Sequence, residues 1–160
     1  MSQKEDFSRL AELIEDIRFA MLCTRTSGDR IDARPMTTQE ILDEDDVLYF
    51  VTGTQQSLTD QIQADPRVTL IYSNPDDGAY VVVQGEAKVT RNEGRIDRYW
   101  NPLFGTWFEG KDDPRLRTLE VRPHAAEFWA STGTATTVMA RLKKAVGAEP
   151  EVGEHDTLRP

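Results

Sequence analysis

Residues 47–72 read VLYFVTGTQQSLTDQIQADPRVTLIY and predict two apolar strands joined by a short polar helix. The first strand, Val47–Val51, is apolar at every position, and the second, Val68–Tyr72, follows directly after Asp65-Pro66 and Arg67. The residue before a proline is disfavoured in helical conformation, so the helix is expected to stop at this point. Strand, hydroxyl-rich loop, helix and strand therefore follow one another within 26 residues.

The start of this helix has two interpretations. Ser57, with Asp60 three residues later, is typical of an N-cap pair. Free backbone N–H groups and the positive end of the helix dipole attract anions at such a terminus, most often a phosphate. In the other interpretation Ser57 only caps its helix. The segment by itself leaves both open.

The composition excludes several classes of function. The chain has 160 residues and a formal net charge of −9. Without a basic run to offset that charge, a nucleic-acid backbone would be repelled, so we expect no nucleic-acid partner. No apolar run approaches the roughly 20 residues of a membrane helix, and the polar start at residues 1–6 lacks the apolar region of a signal peptide. The single cysteine, Cys23, excludes an internal disulfide, fits a cytoplasmic location, and is expected as a buried small hydrophobe.

Hydrophobic spacing predicts the other elements. Residues 4–17 have helical spacing, and a hairpin turns at Ser27-Gly28-Asp29. A long strand covers residues 79–91, where the central Gly85 suggests a bend or bulge. Beyond it we predict a helix, two strands and a last helix, at residues 92–101, 116–121, 125–130 and 136–146. Residues 1–147 are expected to form one domain, and residues 148–160 a loosely held acidic tail.

Three local features carry further expectations. Pro35 cannot donate a ladder hydrogen bond, so its strand should be an edge, a bulge or the lip of a site. The strand Val47–Val51 is apolar on both faces and needs a second burial partner, for which we expect a dimer interface. The acidic run Asp43–Asp46 is most simply a solvated turn, because contiguous carboxylates without a spaced ligand pattern do not predict a metal site.

These elements together predict a mainly β fold. About six strands at short spacing, a few helices and no strand–helix–strand repeat favour an antiparallel barrel with peripheral helices.

Four passages, in this order, resemble the split-barrel flavoproteins related to pyridoxamine 5′-phosphate oxidase, and among them the general stress protein 26-like branch. They span most of the chain and are ARPM (33–36), YFVT (49–52) leading to ADPRV (64–68), WFEGKDDP (107–114) and VRPHAAEFW (121–129).

The resemblance implies a six-stranded antiparallel split β-barrel, a homodimer, and FMN bound at the subunit interface. It places one strand along the flavin, the end of another near the rings and ribityl chain, a loop at the phosphate, and two aromatic side chains near the isoalloxazine. The FMN-binding residues so implied are Arg34, Pro35, Met36, Val51, Thr52, Gln56, Ser57, Thr59, Trp107 and Phe108. A surface ion pair to Asp32 or Asp29 remains the alternative for Arg34, and core or dimer packing the alternative for the two aromatic residues.

This chain departs from the pattern at two places. Relatives usually carry a lysine after a serine, eight residues before the proline, where this chain has Leu58. Losing that cation would cost about 1–3 kcal/mol, or roughly ten- to hundredfold in affinity. Arg122-Pro123-His124 has the letters of the oxidase substrate element, but its position matches a strand connection. We therefore expect no pyridoxamine phosphate oxidation and assign no catalytic residue. His124 and His155 are likewise given no catalytic role.

The leading hypothesis is an FMN-binding general-stress-type flavoprotein that acts as an oxidoreductase. The alternative is a non-catalytic flavin-binding module with a weakened phosphate site, and a third option keeps the barrel with haem or a deazaflavin.

Overall fold

The computed structural model describes residues 3–42, 46–54, 56–130 and 154–158. Its helices and strands, in chain order, are α1 Gln3–Ile14, β1 Phe19–Arg25, β2 Ile31–Leu42, β3 Val47–Gly53, α2 Gln56–Ala64, β4 Arg67–Asn74, β5 Ala79–Thr90, α3 Glu93–Tyr99, β6 Leu116–Ala130 and β7 Glu154–Leu158. Short 3-10 turns cover Pro75–Asp77 and Pro102–Thr106. The helix predicted at 136–146 and most of the acidic run at 43–46 lie outside the described residues.

The strands form an antiparallel sheet in the order β3-β2-β1-β4-β5-β6, and pairing of β3 with β6 closes it into a six-stranded barrel. Every neighbouring pair is antiparallel. The predicted mainly β, six-stranded antiparallel barrel is therefore confirmed.

The two strands predicted at 116–121 and 125–130 are one continuous strand, β6. Gln84 pairs with Ala125 and Gly85 with Pro123, so His124 is the extra residue of a bulge. A Cβ atom at Gly85 would lie 2.4 Å from the carbonyl oxygen of Arg122, so only glycine fits there. The predicted bulge at Gly85 is confirmed, and the proline that was expected to separate two strands is accommodated by that bulge.

Part of the predicted acidic tail is also a strand. Glu154–Leu158 pairs with Ala126–Ala130 on the edge of β6 that β3 leaves free. Unpaired N–H and C=O groups on such an edge favour the addition of a strand. The expectation of a loosely held tail is therefore wrong for these five residues.

The barrel interior, α1 and α2 share one hydrophobic core. Its fully buried members include Phe7 and Leu10 of α1, Leu58 of α2, and Leu22 and Leu70 of the barrel. Apolar positions three and four residues apart in the helices meet alternate positions in the strands, so both periodicities are satisfied in one core.

The outer face of β3 is buried within the same chain. Val47 and Tyr49 pack against Tyr99 of α3, and the Arg95 guanidinium lies 3.7 Å from the centroid of the Tyr49 ring. Burial and the hydrogen bond to Glu40 raise the pKa of the Tyr99 phenol to about 12. Because α3 covers Val47 and Tyr49, these residues do not need the dimer interface that the sequence suggested.

The barrel is split between β2 and β3. The two strands pair only from Thr38 to Leu42, opposite Val47–Phe50, with an irregularity at Gln39. Residues 31–37 pair with β1 alone, while 51–53 pair with β6 alone. Pro35 lies in this part of β2, so of the three predicted possibilities, an edge, a bulge or the lip of a site, the edge is confirmed.

Candidate functional site

A cleft opens where β2 and β3 separate. Its volume is about 400 Å³, within the usual range for small-molecule and cofactor sites. The lining residues come from β2, from the end of β3 and the following loop, and from the segment before β6: Pro35, Met36, Thr37, Gln39, Val51, Thr52, Gly53, Thr54, Phe104, Trp107, Phe108 and Arg115. One wall of the cleft is therefore formed by strands. The other is formed by the segment before β6, which we call the aromatic loop because it carries Phe104, Trp107 and Phe108.

The strand wall follows from the alternation of side chains in β2. Pro35, Thr37 and Gln39 are two residues apart and all reach the cleft. Gln39 is the unpaired residue of the irregularity between Thr38 and Glu40, and its Nε2 donates to the Thr37 carbonyl at 3.1 Å. Bulges of this kind commonly redirect a side chain next to a functional site.

The aromatic wall packs directly on the end of β3. A Cβ atom at Gly53 would lie 3.1 Å from a ring carbon of Phe108, so glycine permits this close approach. Trp107 next to it is 66% exposed and presents a large apolar surface beside the cleft. A bound planar ligand would remove part of that surface from water.

Asp113 holds the aromatic loop in place. Its buried carboxylate accepts hydrogen bonds from the backbone N–H of Glu109 and of Arg115, both at 2.9 Å, and from Arg115 Nη2 at 2.7 Å. The ion pair with Arg115 and these N–H groups hold the pKa of Asp113 far below its usual range. Arg91 Nη1 donates to the Asp113 carbonyl at 2.9 Å, and Thr54 N–H donates to the Arg115 carbonyl at 2.8 Å.

Arg115 carries the only ionisable side chain among the described residues that line the cleft. It donates through Nη2 to the Trp107 carbonyl at 3.2 Å, and its guanidinium carbon lies 5.7 Å from the centroid of the Phe108 ring. The neighbouring Asp113 raises the pKa of Arg115 further above its ordinary value, so this side chain stays charged.

Six of the ten residues predicted to bind a cofactor line this cleft. They are Pro35, Met36, Val51, Thr52, Trp107 and Phe108. Their roles toward a ligand stay predictions, but the fold brings together three segments that are distant in sequence.

Arg34 lies elsewhere, in a polar network under α2. Its Nη2 donates to Gln61 Oε1 at 3.1 Å and to Thr24 Oγ1 at 3.3 Å, and lies 3.8 Å from the Asp32 carboxylate. The ion pair to Asp32, considered as the alternative for this residue, is therefore present. Arg34 Nη1 is buried and has no hydrogen-bond partner.

Ser57 and Thr59 do not line the cleft either. The helix α2 begins at Gln56, so Ser57 lies inside its first turn and the predicted N-cap role of Ser57 is wrong. The helix starts two residues earlier than an N-cap at Ser57 would give, and Leu58 and Ile62 face the core from successive turns of it. Gln56 is the first residue of the helix, two residues after Thr54, which does line the cleft.

Six lining residues are not among the ten predicted to bind a cofactor: Thr37, Gln39, Gly53, Thr54, Phe104 and Arg115. Extending the alternation from Pro35 along β2 would have found Thr37 and Gln39. Arg115 has no comparable signal, because its position depends on how Asp113 turns the loop.

Cys23 is half-buried outside this cleft, and burial raises the pKa of its thiol, which disfavours the nucleophilic thiolate.

Across the described residues, no helix combines the length and the apolar character required to span a membrane.

Comparison with known proteins gives a consistent family. The family model described as pyridoxamine 5′-phosphate oxidase like matches residues 5–151. General stress protein 26 of Bacillus subtilis is 27% identical over 145 residues, which cover 89% of this chain and all of that protein.

Solved structures share the fold. The general stress FMN/FAD binding protein of Xanthomonas citri is 26% identical, with a TM-score of 0.67, and the match covers 84% of this chain and 94% of that one. The general stress protein 26 of Bacillus anthracis has a TM-score of 0.65 at 23% identity, covering 80% and 94% of the two chains, and supports the fold alone.

Proposed function

Because this chain belongs to the pyridoxamine 5′-phosphate oxidase-like family, we propose that it binds FMN in the cleft between β2 and β3 and acts as a flavin-dependent oxidoreductase of the general stress type. The observation that carries this proposal is the cleft itself. It gathers six predicted cofactor residues around a space of about 400 Å³. The similarity to a protein described as FMN/FAD-binding supports the ligand class.

The residues present fit a flavin. An isoalloxazine ring needs an apolar slot with a few donors and acceptors for its heteroatoms. Val51, Trp107 and Phe108 would supply apolar surface, while the Thr37 hydroxyl and Gln39 amide would face the polar ring edge or ribityl chain. When bound, the flavin supplies hydride or electron transfer, and the chain binds it, orients it and excludes water.

We further propose that two copies of the chain associate through the outer face of the sheet. Met21 of β1 lies between Pro35 of β2 and Ile71 of β4, and Ile71 is paired with Val82 of β5. Phe19, Tyr80 and Trp129 add exposed rings to this apolar band, with exposed fractions of 69%, 41% and 40%. A contiguous apolar surface of this kind is typical of an interaction site. Light scattering should give twice the 18.1 kDa mass of one chain, and a mass of one chain at micromolar concentration would contradict the proposal.

The proposed location is the cytoplasm. A single half-buried cysteine suits a reducing compartment, in which a thiol stays free.

A non-catalytic flavin-binding module is the second candidate. Apart from Arg115, the described residues that line the cleft have no ionisable side chain, so no general acid or base adjoins the ligand space. Anaerobic mixing of the flavin-loaded protein with NADH or NADPH separates the two candidates. Bleaching of the flavin band on a useful timescale supports the oxidoreductase, whereas an unreduced flavin supports the binding module.

The test of flavin binding is a titration with FMN followed by flavin fluorescence, after recording the visible spectrum of the purified protein. We expect saturable quenching, and we expect Trp107→Ala to weaken binding. Leu103→Ala is the matched control, because Leu103 is equally exposed in the same loop, at 72%, but does not line the cleft. A wild-type protein that ignores FMN, or equal effects of the two variants, would contradict the proposed site.

A further inference from the structure

A phosphate near charge −2 needs charge-assisted donors, and this acidic chain offers few in the candidate cleft. Leu58, at the position where the family resemblance predicts a lysine, is fully buried in the core and offers no donor. Arg34 does not line the cleft, and its Nη2 is engaged by Gln61, Thr24 and Asp32. Among the described residues that line the cleft, only Arg115 carries a positive charge.

Arg115 is oriented before any ligand arrives. Its Nε and Nη2 are occupied by the Asp113 carboxylate, at 3.1 and 2.7 Å. Asp113 is in turn fixed by two backbone N–H groups and is only 1% exposed, so this anion cannot swing into the cleft. No hydrogen bond in the described part of the chain uses Arg115 Nη1, and the side chain is 54% exposed. One face of the guanidinium fork therefore remains available.

The position of Arg115 along the cleft suits an anion near α2. The Arg115 carbonyl accepts a hydrogen bond from the backbone N–H of Thr54, in the loop that leads into α2. The first N–H groups of a helix have no partner within the helix and favour anions. The nine-residue helix α2 begins two residues after Thr54. Arg115 is therefore joined by its backbone to the cleft-lining loop that leads into the start of α2.

We propose that Arg115 anchors the terminal phosphate of the bound flavin and so supplies the positive charge that the family resemblance predicts at position 58, an inference that rests on the proposed FMN binding. Arg115 then determines specificity for the phosphorylated flavin over riboflavin, which has the same rings and ribityl chain without the phosphate. The preference for FMN should fall as salt is raised, because a half-exposed ion pair is screened.

The experiment compares the dissociation constants of FMN and riboflavin, measured by fluorescence quenching, for the wild type and three variants. Arg115→Gln should weaken FMN binding by about tenfold or more, the loss expected for a charge-assisted hydrogen bond, and riboflavin binding by less than about threefold. Arg115→Lys should retain part of the preference for FMN, because it keeps the charge but not the planar fork. Arg117→Gln is the matched control: it removes the same charge two residues away, outside the cleft, and should leave both constants unchanged.

Several outcomes would overturn the inference. Equal losses for FMN and riboflavin in Arg115→Gln would mean that Arg115 only supports the loop or the ring site. Equal wild-type affinities for the two flavins would exclude a phosphate anchor while leaving the proposed function intact, whereas binding of neither flavin would overturn both. If Arg115→Gln does not fold, as judged by circular dichroism, the wild-type salt dependence decides: an FMN preference that is unchanged from low to high salt would contradict the role of Arg115.

Discussion

Two sides of the barrel are built from similar strands but differ in how much of their length is paired. One side is the wall formed by β4, β5 and β6, and the other is the edge where β2 and β3 separate. Within the wall, β5 pairs with β4 from Ala79 to Glu86 and with β6 along its whole length. At the edge, β2 and β3 are paired only from Thr38 to Leu42 of β2. A long ladder pairs most backbone groups and holds the strands side by side, whereas an interrupted one leaves space that side chains or a ligand can fill. The same barrel is therefore closed at the wall and open at the edge.

The largest effect is expected at the bulge of the closed wall. Gly85→Ala places a methyl group 2.4 Å from the Arg122 carbonyl oxygen, and backbone on both strands must move. We expect a loss of about 3 kcal/mol or more in the free energy of unfolding, at the upper end of overpacking effects. Gly105→Ala, where no atom lies within 4 Å of the added Cβ, is the control. Equal stability of the two variants in urea denaturation would show that the wall is more tolerant than the contrast implies.

The helix between the two regions comes next. Leu58→Ala removes a fully buried side chain from the core below α2 and should cost about 2–5 kcal/mol in the free energy of unfolding. Ser57→Ala, at an exposed position in the same helical turn, should change stability by less than about 0.5 kcal/mol. Thermal denaturation of both variants checks this. If Leu58→Ala left the free energy of unfolding unchanged, α2 would not be packed tightly against the core, and the contrast with the open edge would be lost.

The two hydroxyl groups at the start of the split are expected to contribute a smaller amount to the free energy of unfolding. Removing one of them should cost stability, and removing the second should recover part of that loss. Thr38 Oγ1 and Tyr72 Oη are buried and 2.8 Å apart, and burial raises the pKa of the Tyr72 phenol. Tyr72→Phe leaves the Thr38 hydroxyl without this partner and should cost about 1–3 kcal/mol, whereas adding Thr38→Val should recover part of that loss. A double-mutant cycle in urea measures the coupling, and additive losses would contradict it.

The smallest effect concerns the connection from α2 to β4. Hydrogen bonds from Arg67 lower the pKa of Asp65 from 3.8 to about 2. A carboxyl group whose pKa is lower in the folded state contributes stability above its unfolded pKa, and that stability is lost as the pH falls through the folded value. The stability difference between wild type and Asp65→Asn should therefore shrink between about pH 4 and pH 2. A difference that is constant over this range would show that the ion pair contributes nothing.

Particular residues show why the sequence predicted some features and missed others. The alternation in β1, the helical spacing of Phe7 and Leu10, and the glycine at 85 are local patterns, and the structure confirms the elements they predicted. The bulge that joins β6 into one strand and the addition of β7 depend on which backbone edges remain free after the barrel closes. Such edges are defined only by pairing between distant segments.

The candidate site divides in the same way. Pro35 indicated a strand edge, and the adjacent Trp107 and Phe108 indicated an apolar surface, because each residue type restricts its own environment. The residues around Arg34 and Arg115 in the sequence do not show which of the two faces the cleft. Arg34 is held by its hydrogen bond to Gln61 of α2, and Arg115 by its ion pair with Asp113. Both orientations depend on how the chain folds.

The sequence by itself determined most of the described strands, the helices α1, α2 and α3 and the apolar residues of the core, because backbone preference and hydrophobic periodicity act over a few residues. Only the tertiary structure decided where the barrel splits, which arginine lines the cleft, and that α3 covers the outer face of β3. These features depend on long-range pairing and on the competition of charged groups for partners. Neither is encoded in the spacing of neighbouring residues.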